Sequence, residues 1–159
     1  MIYTACYPSP LGNLLLQADD AAVMKVHFME ETESVASATS PVLSRCMLEL
    51  DEYFKGKRKV FSIPVNPNGT AFQQKVWTQL MTIPFSKTIS YAELALQLGN
   101  KRVIRAAGTA NGRNPVAIII PCHRVIGSDG SLTGYGGGLW RKKWLLDFER
   151  KQRQGELFD

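Results

Sequence analysis

Apolar residues along this chain follow two rhythms, one suited to strands and one to helices. "GNLLLQA" (12–18) and "VMKVHF" (23–28) are short apolar or alternating runs either side of "DDAA", the pattern of a β-hairpin. "SPVLSRCMLELDEYFKG" (40–56) changes period. Val42, Leu43, Cys46, Met47, Leu50, Tyr53 and Phe54 recur at intervals of three and four and form one helical face. Ser40 is placed to cap that helix, Pro41 lies inside its start and Gly56 falls past its end. On that face Cys46 reads as a core residue.

"IPVNPNGT" is dense in proline, asparagine and glycine, which places a connection near residues 64–69. A second helical pattern follows in "AFQQKVWTQLMTI", with Phe72, Val76, Trp77 and Leu80 in step, and it stops before Pro84. Trp77 reads as core. Next, Ser90 and Glu93 have the form of a capping box opening a third helix, and Leu98-Gly99-Asn100 supplies a stop and a tight turn. A fourth helix carries Val103, Ala106, Ala107 and Ala110 on one face and Lys101, Arg105 and Thr109 on another. Two short helices joined through glycine suit either a DNA-binding helix-turn-helix or a plain helical hairpin. Alanine and glycine offer base edges few hydrogen bonds, so a helix this slim suits close minor-groove approach, with Arg105 free to enter the stack.

"VAIII" (116–120) is rich in β-branched residues and reads as a buried strand that ends in Pro121-Cys122-His123-Arg124. "VIGSDGSLTGYGGG" gives a turn at Asp129-Gly130 and a glycine-rich loop around Tyr135. The loop matches neither a P-loop nor a dinucleotide fingerprint and suits a cover over a pocket. In the closing helix, "LWRKKWLLDFERK", a mixed stripe holds Leu139, Trp140, Lys143, Trp144 and Asp147, and Leu145, Leu146 and Phe148 make the apolar anchor. "QRQGELFD" is expected to fray.

Charge sharpens this picture. Through Val60 there are six Lys/Arg and eight Asp/Glu, a net −2; from Phe61 onward there are thirteen and six, a net +7. The positive excess of this 159-residue chain therefore lies in its second part, as a solvated basic face or as a seat for a polyanion such as nucleic acid. Cys6, Cys46 and Cys122 lie far apart and form no disulfide framework. A zinc shell also lacks ligands: there is no Cys-x-x-Cys, only two histidines, His27 and His123, are available, and Cys6 with His27 leaves a tetrahedral shell unfilled. "MIYTACYPSPLG" lacks a signal-peptide pattern, and no apolar run nears the roughly 20 residues that cross a bilayer. The expected setting is the cytoplasm, or the nucleoid in a bacterium.

Cys122 is either the last buried residue of a strand or a nucleophile at its mouth. A thiol with an ordinary pKa near 8.5 is only a few per cent thiolate at neutral pH, so a working cysteine needs a base or a nearby positive charge. His123, Arg124 or a helix N-terminus would serve. Neighbours in an extended chain point to opposite sides, so Cys122 and His123 meet only if the backbone turns or a water bridges them. Glu149 is the candidate to fix the histidine tautomer.

"PCHRVIGSDGSLTGYGGG", with "SYAELA", "IRAAGTANGRNP" and "KWLLDFE" around it, resembles the O6-alkylguanine-DNA alkyltransferases. The likeness runs from about Gly69 to Glu149 and extends more weakly through "SPLGNLLLQADD" and "LDEYFKGKRKVF". The resemblance implies that Cys122 takes the alkyl carbon from guanine O6 in a single turnover, through a Cys–water–His–Glu relay of Cys122, His123 and Glu149. It makes Asn114 the residue that orders the loop before the nucleophile. Tyr91 would donate to the departing guanine and press on the flanking phosphate. Arg105 would replace the flipped base, with Ser90, Tyr91, Ala106 and Gly108 also on the DNA. Tyr135, Gly136 and Lys142 would line the pocket, with a backbone N–H near O6.

The implied partner is double-stranded DNA containing O6-alkylguanine, with O4-alkylthymine left open as a second substrate, met by a monomer that binds singly or cooperatively without cofactor, metal or membrane. Three departures stand out: Ser86 where members commonly have glycine, Gly136 where some have serine, and no convincing zinc set. Two other readings remain, a non-catalytic damage binder like the alkyltransferase-like proteins and an unrelated thiol hydrolase or regulator. Cys122 weighs against the first, and the missing oxyanion site weighs against the hydrolase. The expected fold is α/β (α+β). A small N-terminal sheet-plus-helix domain, 1–66, would pack on a mainly helical C-terminal domain, 67–159, with a helix-turn-helix and the active cysteine.

Overall fold

The computed structural model describes residues 1–30 and 38–158, with side chains through Arg153. The chain divides into two compact units, Met1–Asn68 with Pro115–Ile119, and Gly69–Asn114 with Ile120–Asp159.

In the first unit, Tyr3–Ser9 (β1), Gly12–Ala18 (β2) and Val23–Phe28 (β3) form an antiparallel meander in the order β1-β2-β3. Leu14, Leu16, Val23 and Val26 turn one face of it into core. The hairpin expected between residues 12 and 28 is therefore β2–β3. Strand β1 is an addition, its inward alternation at Ala5 and Tyr7 partly masked by Pro8. Pro41–Phe54 (α1) covers this unit with Leu43, Cys46, Leu50 and Tyr53 buried, and Ser40 caps it by accepting from the Leu43 N–H at 3.2 Å. Glu49 is buried on the same stripe. It accepts from Arg45 and from the backbone of Ser62 and Ile63, so a carboxylate pins the connector to the helix.

The first unit also takes back residues 115–119, which the sequence reading assigns to the second domain. The Val26 N–H donates to Pro115 O and the Ala117 N–H to Val26 O, so this segment bonds along β3. It is not the buried strand expected of "VAIII". Only Val116 makes a bridge, to Val26. Ile118 then has φ 71°, and the Ile119 N–H bonds Ala117 O at 2.8 Å, the signature of a γ-turn. The isoleucines are buried all the same, without a strand to carry them.

The second unit is mainly helical. Ala71–Leu80 (α2) opens with a capping box between Thr70 and Gln73. Trp77 is 2% exposed, and its indole N–H donates to Ala110 O at 2.8 Å. Gly69 lies under this ring; a Cβ there would collide with Trp77. Ile89–Ser90 (β4) leads into Tyr91–Gln97 (α3), where Ser90 and Glu93 make the expected capping box. Gly99, at φ 98°, makes the turn. A 3₁₀ turn over Lys101–Val103 then precedes Ile104–Gly112 (α4). Ala107 and Ala110 face inward as expected, but Ala106 is exposed and Asn111 is buried, so the inward face is rotated toward Asn111.

Val125–Ile126 (β5) pairs in parallel with β4, Ile89 opposite Val125 and Ser90 opposite Ile126. Leu139–Phe158 (α5) closes the unit and continues through most of the segment expected to fray, Asp159 lying outside the described residues. Its run of Arg, Lys, Gln and Glu is made of good helix formers. Its inward stripe is Lys142, Leu145 and Glu149 rather than the apolar anchor expected at Leu145, Leu146 and Phe148. Among the described residues no helix is long and apolar enough to cross a membrane, and no group of three or more His, Cys, Asp or Glu could hold a metal ion.

Candidate active site

The second unit places Cys122 by a pair of tight backbone devices. Pro121, at φ −82° and ψ 61°, is the centre of an inverse γ-turn closed by the Cys122 N–H on Ile120 O at 2.8 Å. Cys122–Arg124 then forms one 3₁₀ turn, so the three side chains fan out where an extended strand would alternate them. The Asn114 side chain donates to Ile120 O at 2.8 Å and also bonds Cys122. The Asn111 amide donates to Cys122 O at 3.3 Å. The β4–β5 pair joins the chain leaving this turn to the start of α3, and so to Tyr91.

His123 is wholly buried, and its Nε2 lies 2.8 Å from Glu149 Oε2. Arg124, 6% exposed, grips the same carboxylate twice, Nε to Oε1 at 2.9 Å and Nη2 to Oε2 at 3.0 Å, and donates a third bond to Ile83 O. The Ser86 N–H adds a bond to Glu149 Oε1 at 3.1 Å. Burial alone would raise the Glu149 pKa. Its contacts with His123 and Arg124 reverse that and hold the carboxyl well below the usual carboxylate range. Burial holds His123 below its ordinary value against the pull of Glu149, so the imidazole is neutral at neutral pH. A neutral imidazole beside an ionised carboxylate carries its proton on Nε2 and donates to Glu149. Nδ1, buried and without a hydrogen-bond partner among the described residues, is left as the base.

Cys122 is 6% exposed, and burial pushes its thiol pKa up, partly offset by the Asn114 hydrogen bond and the charge of Lys142. The Lys142 side chain has no exposed surface. It donates to Thr133 O at 2.8 Å and Tyr91 Oη at 3.4 Å, and stands 5.7 Å from the Tyr91 ring centroid. Tyr91 Oη itself donates to Thr133 O at 3.0 Å. These bonds tie α3, α5 and the loop after β5 together. The Tyr135 hydroxyl is buried, and its ionisation is disfavoured by burial and then by the nearby Cys122. A Cβ on Gly136 would make only an ordinary contact with Gly112 O, so serine would fit there.

Beside this cluster Tyr91, Ile104, Arg105, Gly108, Thr109, Thr133 and Gly134 line an open cavity of about 590 Å³. Arg105 and Ala106 are exposed on α4, and a Cβ on Gly108 would make an ordinary contact with the Tyr91 ring at 3.5 Å. Ser90 Oγ is occupied as an acceptor from the Glu93 N–H.

Two parts of the chain match models of one family. Residues 2–67 match the 6-O-methylguanine DNA methyltransferase ribonuclease-like domain, and residues 71–151 match the DNA-binding domain. The chain belongs to the methylated-DNA–protein-cysteine methyltransferases. Its relatives under that name include a Mycobacterium tuberculosis protein, 42% identical over 99% of this chain and 98% of the relative. One from Haemophilus influenzae is 41% identical over 94% and 87%. The crystal structure of M. tuberculosis O6-methylguanine methyltransferase superposes with a TM-score of 0.88 at 40% identity, covering all of both chains. That organism's OGT in complex with DNA superposes at 0.83 and 42% identity, covering 95% of this chain and 93% of that one.

Within this family frame, Asn111 and the Ser86 amide are contributors that the sequence reading did not assign to the site, and Arg124 has a role it did not foresee. Arg124 was legible as a positive charge beside Cys122 but not as the partner of Glu149. Asn111 had a signal, a polar residue at i+4 from Ala107 on the inward face of α4.

Proposed function

We propose that this chain repairs DNA by transferring the alkyl group of O6-alkylguanine to Cys122, once per molecule. The observation that carries this reading is the buried histidine in the same turn as a buried cysteine, its Nε2 fixed by Glu149 and its Nδ1 open to a proton. His123 takes the thiol proton through a bridging water. The sulfur forms the C–S bond as the C–O6 bond breaks, the electron pair passes into the purine, and guanine returns to its ordinary form on gaining one proton. Glu149 stabilises the imidazolium that forms, and Arg124 keeps Glu149 ionised throughout.

Cys122 needs help because burial disfavours its thiolate, and Lys142 and the Asn114 hydrogen bond pull the other way. Asn114 orders the turn before the nucleophile. Tyr91 and Lys142 share Thr133 O, so a guanine accepting from Tyr91 takes over a bond the phenol already makes. Tyr135 and Gly136 lie outside the lining of the open cavity, and we assign them to the guanine pocket around Cys122.

The O6 atom is out of reach inside a duplex, so the base must leave the stack at a cost of a few kcal/mol, least for a weakly paired, damaged guanine. The exposed Arg105 fills the gap, and Ser90, Tyr91, Ala106 and Gly108 present the surface that follows the minor groove. The cytoplasm is the compartment we assign, where reduced thiols persist.

Transfer from free O6-benzylguanine and from a duplex with one O6-methylguanine tests these roles together. Cys122→Ala is expected to bind alkylated duplex and to transfer from neither substrate; retained transfer overturns the assignment. Arg105→Ala is expected to slow the duplex reaction at least tenfold while sparing the free base. Equal losses on both would remove Arg105 from flipping.

A further inference from the structure

A second cavity, of about 440 Å³, lies in the same unit and shares none of the lining of the first. Its apolar residues are Ile126 on β5, Leu132 and Leu146 on α5. Ser86 and Thr88 add hydroxyl-bearing side chains, and the cationic side is Lys143, Arg150 and Arg153 from α5. One carboxylate sits among the cations. Asp147 pairs with Lys143 at 2.6 Å and with Arg150 at 3.2 Å, which leaves a net charge of +2 on the lining. Arg153 makes no ion pair among the described residues. Nothing in the transfer chemistry uses Lys143, Arg150 or Arg153.

We propose that this cavity is a binding site for a nucleotide phosphate, separate from the alkyl-acceptor pocket. Its volume admits a mononucleotide, the apolar residues suit the flat face of a base or sugar, and two guanidiniums offer planar paired donors to phosphate oxygens. The Asp147 pairs hold Lys143 and Arg150 in place without cancelling the positive excess, so an anion adds charge where charge is wanting. A free nucleotide and the backbone of bound DNA present the same phosphate chemistry. Ser86 gives the site a route to the relay, since it lines the cavity and its N–H holds Glu149.

Titration with thymidine 5′-monophosphate tests this, because a pyrimidine avoids a guanine-shaped pocket. Amide resonances of Thr88, Ile126 and Leu132 are expected to shift on binding. Arg150→Ala/Arg153→Ala is expected to weaken binding at least tenfold while transfer from free O6-benzylguanine stays at the wild-type rate. A second arm, which alone rests on the function proposed above, measures duplex affinity against salt. A slope of log K on log salt shallower by about 1–2 in the double variant identifies DNA backbone as the occupant, each lost phosphate contact contributing about 0.9. An unchanged slope with lost nucleotide binding identifies a free nucleotide. Nucleotide binding and salt slope both unchanged in the double variant, or no shift at those three amides, overturns the proposal. Failure of alkyl transfer to Cys122 would instead strike the proposed function and leave this site standing.

Discussion

At the scale of single residues, Glu149 concentrates the energetics of the site. It accepts from His123, twice from Arg124 and from the Ser86 amide. Glu149→Gln leaves a buried guanidinium without its anion, and breaking a buried pair this way costs about 3–5 kcal/mol. A denaturant midpoint within about 1 kcal/mol of wild type would contradict the arrangement described. Acid acts on the same pair from both sides. The unfolded chain protonates His123 below its ordinary 6.5 and Glu149 below 4.5, whereas the fold holds both values lower. The unfolded state therefore binds more protons in acid, and stability present at neutral pH is lost as pH falls through 6.5 and again through 4.5. Unfolding midpoints that stay flat from pH 7 to pH 4 would exclude this linkage. Ser86 sits at φ 63°. A side chain there costs about 1–2 kcal/mol, and glycine returns about 0.5–1 of it as unfolded-state entropy. Ser86→Gly is thus expected to stabilise by about 0.5–1 kcal/mol in thermal or denaturant unfolding, and a loss of stability would show the hydroxyl to be needed.

Among the elements, the helices were readable because capping chemistry and apolar spacing agreed. Ser40 and Ser90 cap the helices they were expected to open, Thr70 caps α2 without having been picked out, and Leu43, Cys46, Leu50 and Tyr53 fell on the inward face of α1. The segment before the cysteine was not readable. "VAIII" has strand composition, but its backbone is held by bonds of Pro115 and Ala117 to the distant Val26 and then folds into a γ-turn at Ile118 and an inverse γ-turn at Pro121, which β-branched composition does not reveal. The two-residue strands β4 and β5 were too short to carry a period. The inward stripe of α5 misled for a different reason: two of its three buried members, Lys142 and Glu149, are ionisable, and hydrophobic spacing is blind to them. The join between α2 and α4 gives a direct test. Gly69→Ala would drive a methyl into the Trp77 ring, which is held by its bond to Ala110, and overpacking of this kind costs about 1–3 kcal/mol. A neutral substitution would mean the ring can move aside.

For the molecule as a whole, the positive excess of the second part and the exposed Arg105 beside an open cavity supply sequence-independent affinity for a duplex, strong at low salt and weak at high salt. Family membership was legible in the run from Pro121 to Gly138, and the His123–Glu149 pairing it implied is present at 2.8 Å. The central claim is that Cys122 itself keeps the alkyl group. Incubating the protein with a duplex containing one O6-methylguanine, then taking intact-mass and peptide spectra, tests it most directly. The account predicts a gain of one methyl per molecule, mapped to Cys122, with guanine restored in the DNA. Binding to that duplex without any gain in mass would contradict it and leave Cys122 a buried structural residue.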